Sequence, residues 1–425
     1  MANIAVIGTG YVGLTTGAYL AHLGHHVVCA DVVADKIAAL QGGKMPILED
    51  GLEELVKAGV DGGRLSFIVG EAAAVVEADA EFVFLCVPTP QGDDGSADLS
   101  FIEEAARNLG PVLTSESVVI NKSTVPVGST LVVERALGRG DVAVVSNPEF
   151  LREGSAVHDC LHPDRIVIGS EDQAAAIRVA SLFSEIKAPV IVTDPASAET
   201  IKYASNAFLA TKISFVNAVA NLCEAVGADV RDVVVGMGYD KRIGFEFLKP
   251  GPGWGGSCFP KDSRALVRIA EDNGYDFSLL KGVIEVNDEQ FERMAAKIVR
   301  MAGGSIDGRT VAVWGLTFKA RTDDVRRSPS LEIIERLQAK GAKIRAYDPA
   351  AKETPAGVER AGDPYAACEG ADVLAVLTEW DELRWVDFEK VAGLMTTARM
   401  VDCRNLIDPA AVRRKGFVYE GLGRP

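Results

Sequence analysis

The ten residues GWGGSCFPKD, Gly253 to Asp262, set one thiol among glycines, with a lysine and a carboxylate within four positions of it. Glycines ahead of Cys258 let backbone amides approach a ligand, and Pro260 suits the first turn of a helix continuing through KDSRALVRIAED. This predicts Cys258 at a helix N-terminus, where the dipole favours thiolate, with Asp262 on the same face. The other six cysteines (Cys29, Cys86, Cys160, Cys223, Cys368, Cys403) are dispersed and lack CxxC spacing. They read as small buried apolar residues, and neither a disulfide framework nor a metal site is expected.

The N-terminus supplies a second chemistry. NIAVIGTGYVG reads as a strand running into Gly8, Gly10 and Gly13; LTTGAYLAHLG reads as a helix ending near Gly24; HVVCAD reads as a strand ending at Asp31. Strand, glycine turn, helix and a second strand closed by an acid form the context a dinucleotide fingerprint needs. Asp31 should bind the adenosine ribose hydroxyls and repel a 2′-phosphate, which favours NAD. A nucleophilic thiol near a nicotinamide has a specific meaning. Hydride loss from an alcohol gives an aldehyde, thiolate addition a thiohemiacetal, and a second hydride loss a thioester that water cleaves to a carboxylate. Two oxidations in one site are therefore expected.

Other residues fit that scheme. Lys202 and Asn206 stand four apart near the start of a helix and can donate to a developing oxyanion; Lys202 can also act as acid or base if burial lowers its pKa. NPEFLREG places Glu149 and Glu153 four apart near a strand end. One of these carboxylates, or Asp262, is expected to position the hydrolytic water, in one arrangement through Thr124. All five histidines precede residue 163, so proton transfer in the rest of the chain must use Lys, Asp, Glu or water.

The elements that must position these groups follow from the patterning. Apolar runs at EFVFLCVPTP (81–90), SVVINKSTVP (117–126) and DVAVVSNPEF (141–150) stop at proline-marked turns, and their ends carry Thr89, Thr124, Asn147 and Glu149. Residues 196–226 contain neither Gly nor Pro and keep a helical apolar spacing at Ile201, Phe208, Leu209, Ile213, Val216, Ala220 and Cys223. That stripe reads as core or subunit interface. The last third repeats the first: GRTVAVWGLTFKA, KIRAYDPA ending in the acid Asp348, and ADVLAVLTEW, with Gly315 alone in place of the glycine triplet. Lys319, Arg321, Arg326 and Arg327 follow, suited to gripping a different phosphate-bearing ligand with side chains. The expected fold class is α/β, two Rossmann-like doubly wound domains joined by a long central helix, divided at 1–194, 195–300 and 301–425.

Composition narrows the partners. The 425 residues are 48% apolar with a formal charge of −16, which argues against a nucleic-acid partner. No run reaches the length of a membrane span and no cleavable leader is apparent, so no membrane association and a cytoplasmic location are expected.

Taken together, GTGYVGL, CVPTP, KSTVP, NPEFLREG, KYASNAF, GGSCFPKD, WGLTFK and DDVRRSP resemble the nucleotide-sugar 6-dehydrogenases over essentially the whole chain and in the family's order. The resemblance implies oxidation of the sixth carbon of UDP-glucose to a carboxylate with NAD as cofactor. It makes Cys258 the nucleophile, assisted by Lys202, Asn206, Asp262, Thr124 and Glu149. It assigns NAD contacts to Gly8, Gly10, Tyr11, Val12, Gly13, Asp31, Lys36, Pro88, Thr89, Thr124, Glu153, Lys261 and Arg326. Sugar-nucleotide contacts fall to Glu149, Phe150, Leu151, Arg152, Lys202, Asn206, Phe247, Leu248, Lys249, Pro250, Gly251, Gly255, Lys319 and Arg404. Arg242 matches an arginine lent to a neighbouring subunit, which with the central helix implies a homodimer. Trp254 departs from the Tyr or Phe of many relatives. GDP-mannose dehydrogenases share much of the pattern, and single-step NAD-dependent hydroxyacid dehydrogenases share the Lys and Asn spacing.

Overall fold

The computed structural model describes residues 1–92 and 97–424. By internal contacts the chain divides into two compact units, Met1–Ser205 with Arg264–Asn273, and Asn206–Ser263 with Gly274 onward.

The first unit is built on an eight-stranded sheet: β1 (Asn3–Ile7), β2 (His26–Asp31), β3 (Leu65–Val69), β4 (Phe82–Leu85), β5 (Val118–Asn121), β6 (Ala143–Ser146), β7 (Ile166–Gly169) and β8 (Val190–Thr193). The order is β3-β2-β1-β4-β5-β6-β7-β8. Every pairing is parallel except the β6–β7 junction, where Ser146 meets Gly169 antiparallel. Ile4, Val6, Val83, Phe84, Val119 and Ile120 have no exposed surface to speak of, as near-continuous apolar runs must when helices cover both faces. Strand order reverses at β1, between β2 and β4, and this opens the crevice where such sheets bind ligands.

The second unit repeats the plan with six parallel strands, β9 (Thr310–Trp314), β10 (Lys343–Tyr347), β11 (Val358–Arg360), β12 (Val373–Val376), β13 (Arg399–Asp402) and β14 (Val418–Gly421), ordered β11-β10-β9-β12-β13-β14. Its switch point lies at β9. The two turns are held alike: Asp31 accepts from the Thr9 backbone N–H (3.0 Å) and hydroxyl (2.8 Å), and Asp348 accepts from the Thr317 backbone N–H (3.0 Å) and hydroxyl (3.1 Å).

Among the described residues the helix Pro195–Val226 is the longest, and Ser278–Met301 the next. Of the apolar stripe expected on the first, Val216, Ala220 and Cys223 are buried, Ile201, Leu209 and Ile213 are half-buried and Phe208 is exposed. Phe208 instead begins a second row with Phe215 and Leu222, spaced by seven and 65%, 53% and 60% exposed. Among the described residues no helix is long and apolar enough to cross a membrane.

Candidate active site

At the first switch point the glycines do separate jobs. Gly8 sits at φ +95°, and a Cβ there would come within 2.6 Å of the Cys86 carbonyl oxygen. A Cβ on Gly13 would strike the Gly8 carbonyl at 1.9 Å, while one on Gly10 would meet nothing within 4 Å. The turn is thus closed beneath and open above, with the helix Tyr11–His22 presenting its N-terminal amides. Val12 is half-buried on that helix. Asp31 ends β2 with Lys36 2.8 Å from Oδ2. Burial pushes the Asp31 pKa up, but Lys36, Thr9 and the Val33 N–H outweigh it and hold it at about 2. An open turn beside a fixed anion fits the pyrophosphate and ribose of a dinucleotide.

After β4 and β5, Pro88 is exposed, and the Thr89 hydroxyl donates to the Thr124 carbonyl at 2.9 Å. Two residues upstream, Lys122 is buried and donates to Asn147 Oδ1 at 3.0 Å; burial lowers its pKa. The Thr124 loop leads into the helix Ser129–Leu137, whose first amides are capped by Glu199 from the long helix (Thr130 N–H, 3.0 Å; Thr130 hydroxyl, 2.8 Å).

Beyond β6, Glu149 and Lys202 form a buried ion pair, Nζ to Oε1 2.8 Å, and the same ammonium donates to the Glu149 carbonyl at 2.6 Å. Oε2 accepts from the Leu151 N–H at 2.6 Å. Burial by itself would raise the Glu149 pKa, but Lys202, the Leu151 amide and Lys122 reverse the shift and lower it. The carboxylate is ionised and clamped. Phe150 is covered by the Arg165 guanidinium, 3.7 Å from its centroid. Arg152 is exposed and grips Asp159 at 2.6 Å; Glu153 is half-buried in the same loop.

In the second unit the thiol sits where the helix signal placed it. Cys258 directly precedes the helix Phe259–Asp272, and its carbonyl accepts from the Asp262 N–H at 2.8 Å. It is partly exposed, whereas the other six cysteines are buried, and all seven are free. Asp262 is wholly buried; Asn206 Nδ2 donates to Oδ2 at 2.6 Å and Lys261 Nζ lies 2.7 Å from Oδ1. Lys202 and Asn206, one helical turn apart, thus each engage a buried carboxylate.

The loop before the cysteine hangs on buried polar groups of the two long helices. The Gly251 N–H donates to Asn217 Oδ1 (2.8 Å), its carbonyl accepts from Gln290 (3.0 Å), the Trp254 N–H donates to Asn287 Oδ1 (2.8 Å), and the Trp254 indole donates to Ser214 (2.9 Å). Trp254 is only 5% exposed, so its indole N–H needs that partner. Phe247 takes φ +62° and packs on Phe259; Leu248 is buried, Lys249 exposed and Pro250 half-buried. Arg404 lies 3.2 Å from a Cβ built on Gly251 and donates to the Leu377 and Phe318 carbonyls. A Cβ on Gly255 would lie 2.0 Å from the Arg327 carbonyl oxygen.

The basic cluster disperses. Lys319 lies 5.5 Å from the Phe318 ring centroid, Arg326 is exposed and grips both oxygens of Asp324, and Arg321 is 4.0 Å from Asp381. Arg242 is exposed and bound to Asp240 at 2.6 Å. At the second switch point, Gly315 is covered by Thr378, and the Asp348 carboxylate is filled by the Leu316, Thr317, Ala350 and Ala351 amides and the Trp380 indole. That crevice lacks the open turn of the first. Sequence reasoning assigned no role to Glu49, Lys122, Glu199, Ser214, Asn217, Asn287 or Gln290; Lys122 alone had a signal, lying inside KSTVP. Among the described residues no His, Cys, Asp and Glu group suits a metal.

Residues 2–187 match the NAD binding domain of the UDP-glucose/GDP-mannose dehydrogenase family, 196–289 its central domain and 312–409 its UDP binding domain. The chain is 46% identical to the UDP-glucose 6-dehydrogenase TuaD of Bacillus subtilis, covering 100% of this chain and 94% of that one. It is also 46% identical to a UDP-glucose 6-dehydrogenase of Pseudomonas aeruginosa, over 100% and 98%. A UDP-glucose dehydrogenase structure from Pyrobaculum islandicum superposes with a TM-score of 0.92 at 38% identity, covering 100% and 98%. This chain belongs to the UDP-glucose/GDP-mannose dehydrogenase family.

Proposed function

We propose that the protein oxidises UDP-glucose to UDP-glucuronate in two NAD-dependent steps through covalent intermediates on Cys258. The observation that carries this reading is the partly exposed thiol at a helix N-terminus, four residues from the buried Asp262–Asn206 pair. The full-length likeness to UDP-glucose 6-dehydrogenases supports the substrate.

NAD bound on the Gly8–Gly13 turn, with Asp31 on its ribose, supplies the hydride acceptor for each oxidation. The chain supplies everything else. The proton of the C6 hydroxyl passes through water to a carboxylate, Asp262 or Glu149, as the aldehyde forms, with the Lys202 ammonium held beside it by Glu149. The Cys258 thiolate adds to that aldehyde, and Lys202 and Asn206 donate to the resulting oxyanion. Loss of the second hydride leaves a thioester. Asp262, Glu149 or Glu153 draws a proton from water as it attacks; the C–S bond breaks and the thiol is restored. The balance is one alcohol and one water consumed, a carboxylate and three protons released, and two hydrides transferred.

Phe247–Gly251, Gly255, Lys319 and Arg404 form the sugar-nucleotide contacts in this reading, and the parts 1–194, 195–300 and 301–425 serve cofactor, catalytic and dimer, and UDP roles. We further propose a cytoplasmic homodimer built on the exposed row Phe208, Phe215 and Leu222, with Arg242 reaching the neighbouring subunit. NADH release coupled to UDP-glucuronate, measured across UDP-glucose, GDP-mannose and UDP-N-acetylmannosamine, tests the reading. Two NADH per UDP-glucuronate, with UDP-glucose the best substrate, is expected. A ratio of one removes Cys258 from the mechanism, and preference for another sugar nucleotide overturns the substrate.

A further inference from the structure

Glu49 belongs to the loop MPILEDGL, is 7% exposed and takes no part in the scheme above. Both of its oxygens are nevertheless engaged. Oε2 accepts from the Gly154 N–H at 2.6 Å and from the Tyr11 hydroxyl, and Oε1 accepts from the Ala156 N–H at 2.6 Å. The Gly154 N–H also lies 3.0 Å from the Tyr11 hydroxyl oxygen. Tyr11 is the first residue of the helix that opens on the glycine turn. Gly154, at φ +82°, ends the EFLREG loop, whose other end is the Glu149–Lys202 pair. A buried carboxylate is costly to leave unpaired, so these donors hold turn and loop to one point. Burial first and the hydrogen bond to Glu49 second raise the Tyr11 pKa, which keeps the phenol a donor.

We propose that Glu49 is a positioning residue that ties the dinucleotide turn to the carboxylate loop, so that seating NAD and placing Glu149 and Glu153 are one event. The inference rests on the NAD-dependent reading of the turn. It accounts for a tyrosine inside the glycine fingerprint, whose hydroxyl is directed to Glu49 and Gly154. It also predicts that cofactor affinity and turnover fall together when a residue of neither the turn nor the carboxylate loop is changed.

The test measures NAD binding by calorimetry, and steady-state constants with UDP-glucose, for Glu49→Gln, Tyr11→Phe and the double variant. Glu49→Gln should weaken NAD binding and lower kcat about tenfold each, leaving KM for UDP-glucose within about twofold. Tyr11→Phe should reproduce the loss in NAD affinity, and the double variant should be no worse than Glu49→Gln because both act through one junction. Wild-type NAD affinity and kcat in folded Glu49→Gln overturn the proposal, as do losses that simply add in the double variant. Should Glu49→Gln fail to fold, Tyr11→Phe decides alone, since it deletes one hydroxyl: unchanged NAD affinity overturns the proposal. Wild-type protein that binds NAD without turning over UDP-glucose sinks the functional reading, while the calorimetric arm still judges Glu49.

Discussion

The side-chain amide of Asn206 donates a 2.6 Å hydrogen bond to Asp262, whose other oxygen lies 2.7 Å from the Lys261 ammonium. The carboxylate has no exposed surface, so these fixed donors replace water around it. Asp262→Asn keeps the volume but turns one acceptor into a donor facing an amide or an ammonium. Turnover should fall about a hundredfold, the usual scale for losing a positioned acid or base. Acyl-enzyme on Cys258 should accumulate and be visible by mass spectrometry of quenched enzyme. A slow variant with no trapped acyl group would assign Asp262 to an earlier step.

Cys258→Ser replaces the sulfur by an oxygen of almost the same reach at the same helix N-terminus. The ester it forms resists hydrolysis more than a thioester does, so the sugar should remain covalently attached after the second hydride leaves. NADH should appear as one burst and stop, with the enzyme heavier by the oxidised sugar nucleotide. Undiminished steady-state turnover in this variant contradicts the covalent route.

What the sequence discloses is unequal across these sites, for physical reasons. Gly8, Gly10 and Gly13 are legible because few backbones need three glycines at that spacing between a strand and a helix. Cys258 is legible because glycines, proline and charge surround it. Glu49, Asn217, Asn287 and Gln290 are not legible. A polar residue on a loop or helix reads the same whether it faces water or a buried amide, and only the folded chain brings Glu49 to Gly154 or Gln290 to Gly251. The stripe on the long helix is half legible. Its spacing announces a helix, but separating buried Val216 and Ala220 from exposed Phe208 takes the packing of the second unit. The basic run after Lys319 looked like one cluster, yet Arg326 spends its charge on Asp324.

The Glu149–Lys202 pair sets an acid limit on stability. Burial raises the Glu149 pKa and its donors, led by Lys202, lower it further than burial raises it. A carboxyl with a folded pKa below its unfolded value contributes fully above about 4.3 and loses that contribution as pH falls through the folded value. Glu149→Gln should therefore cost about 3 kcal/mol at pH 7, because it leaves a buried ammonium without its carboxylate. The difference in melting temperature from wild type should narrow steadily below about pH 4. A gap of equal size at neutral and acid pH would show that the contribution is not ionic.

Gly255 offers a steric test of the loop before the cysteine. A Cβ there would lie 2.0 Å from the Arg327 carbonyl oxygen and 2.8 Å from the Pro329 ring, so backbone must move. Displacements of about 1 Å near a reacting group cost about a hundredfold in rate. Gly255→Ala should lower kcat/KM for UDP-glucose by that order while NAD affinity, which depends on the turn in the other unit, stays unchanged. Gly236→Ala is the control: a Cβ there meets nothing within 4 Å, inside a helix where alanine is favoured. Equal kinetic losses in both variants would mean that crowding at Gly255 is not the cause.

The exposed row on the long helix makes the last prediction. Phe208, Phe215 and Leu222 recur every seven residues, and Val226 extends the row at 67% exposure. Large apolar side chains repeating along one helical face are the pattern of a face covered by another helix. Phe215 is 53% exposed within the chain, so Phe215→Asp should leave the fold intact while placing a carboxylate in the proposed subunit interface. Sedimentation should then show wild-type dimers and variant monomers with unchanged circular dichroism. If Arg242 serves the neighbouring subunit, the monomer should also lose turnover while binding NAD normally, because Arg242 is exposed and pairs with Asp240 among the described residues. A monomer with full activity would place Arg242 outside the reaction, and an undisturbed dimer would move the interface off this row.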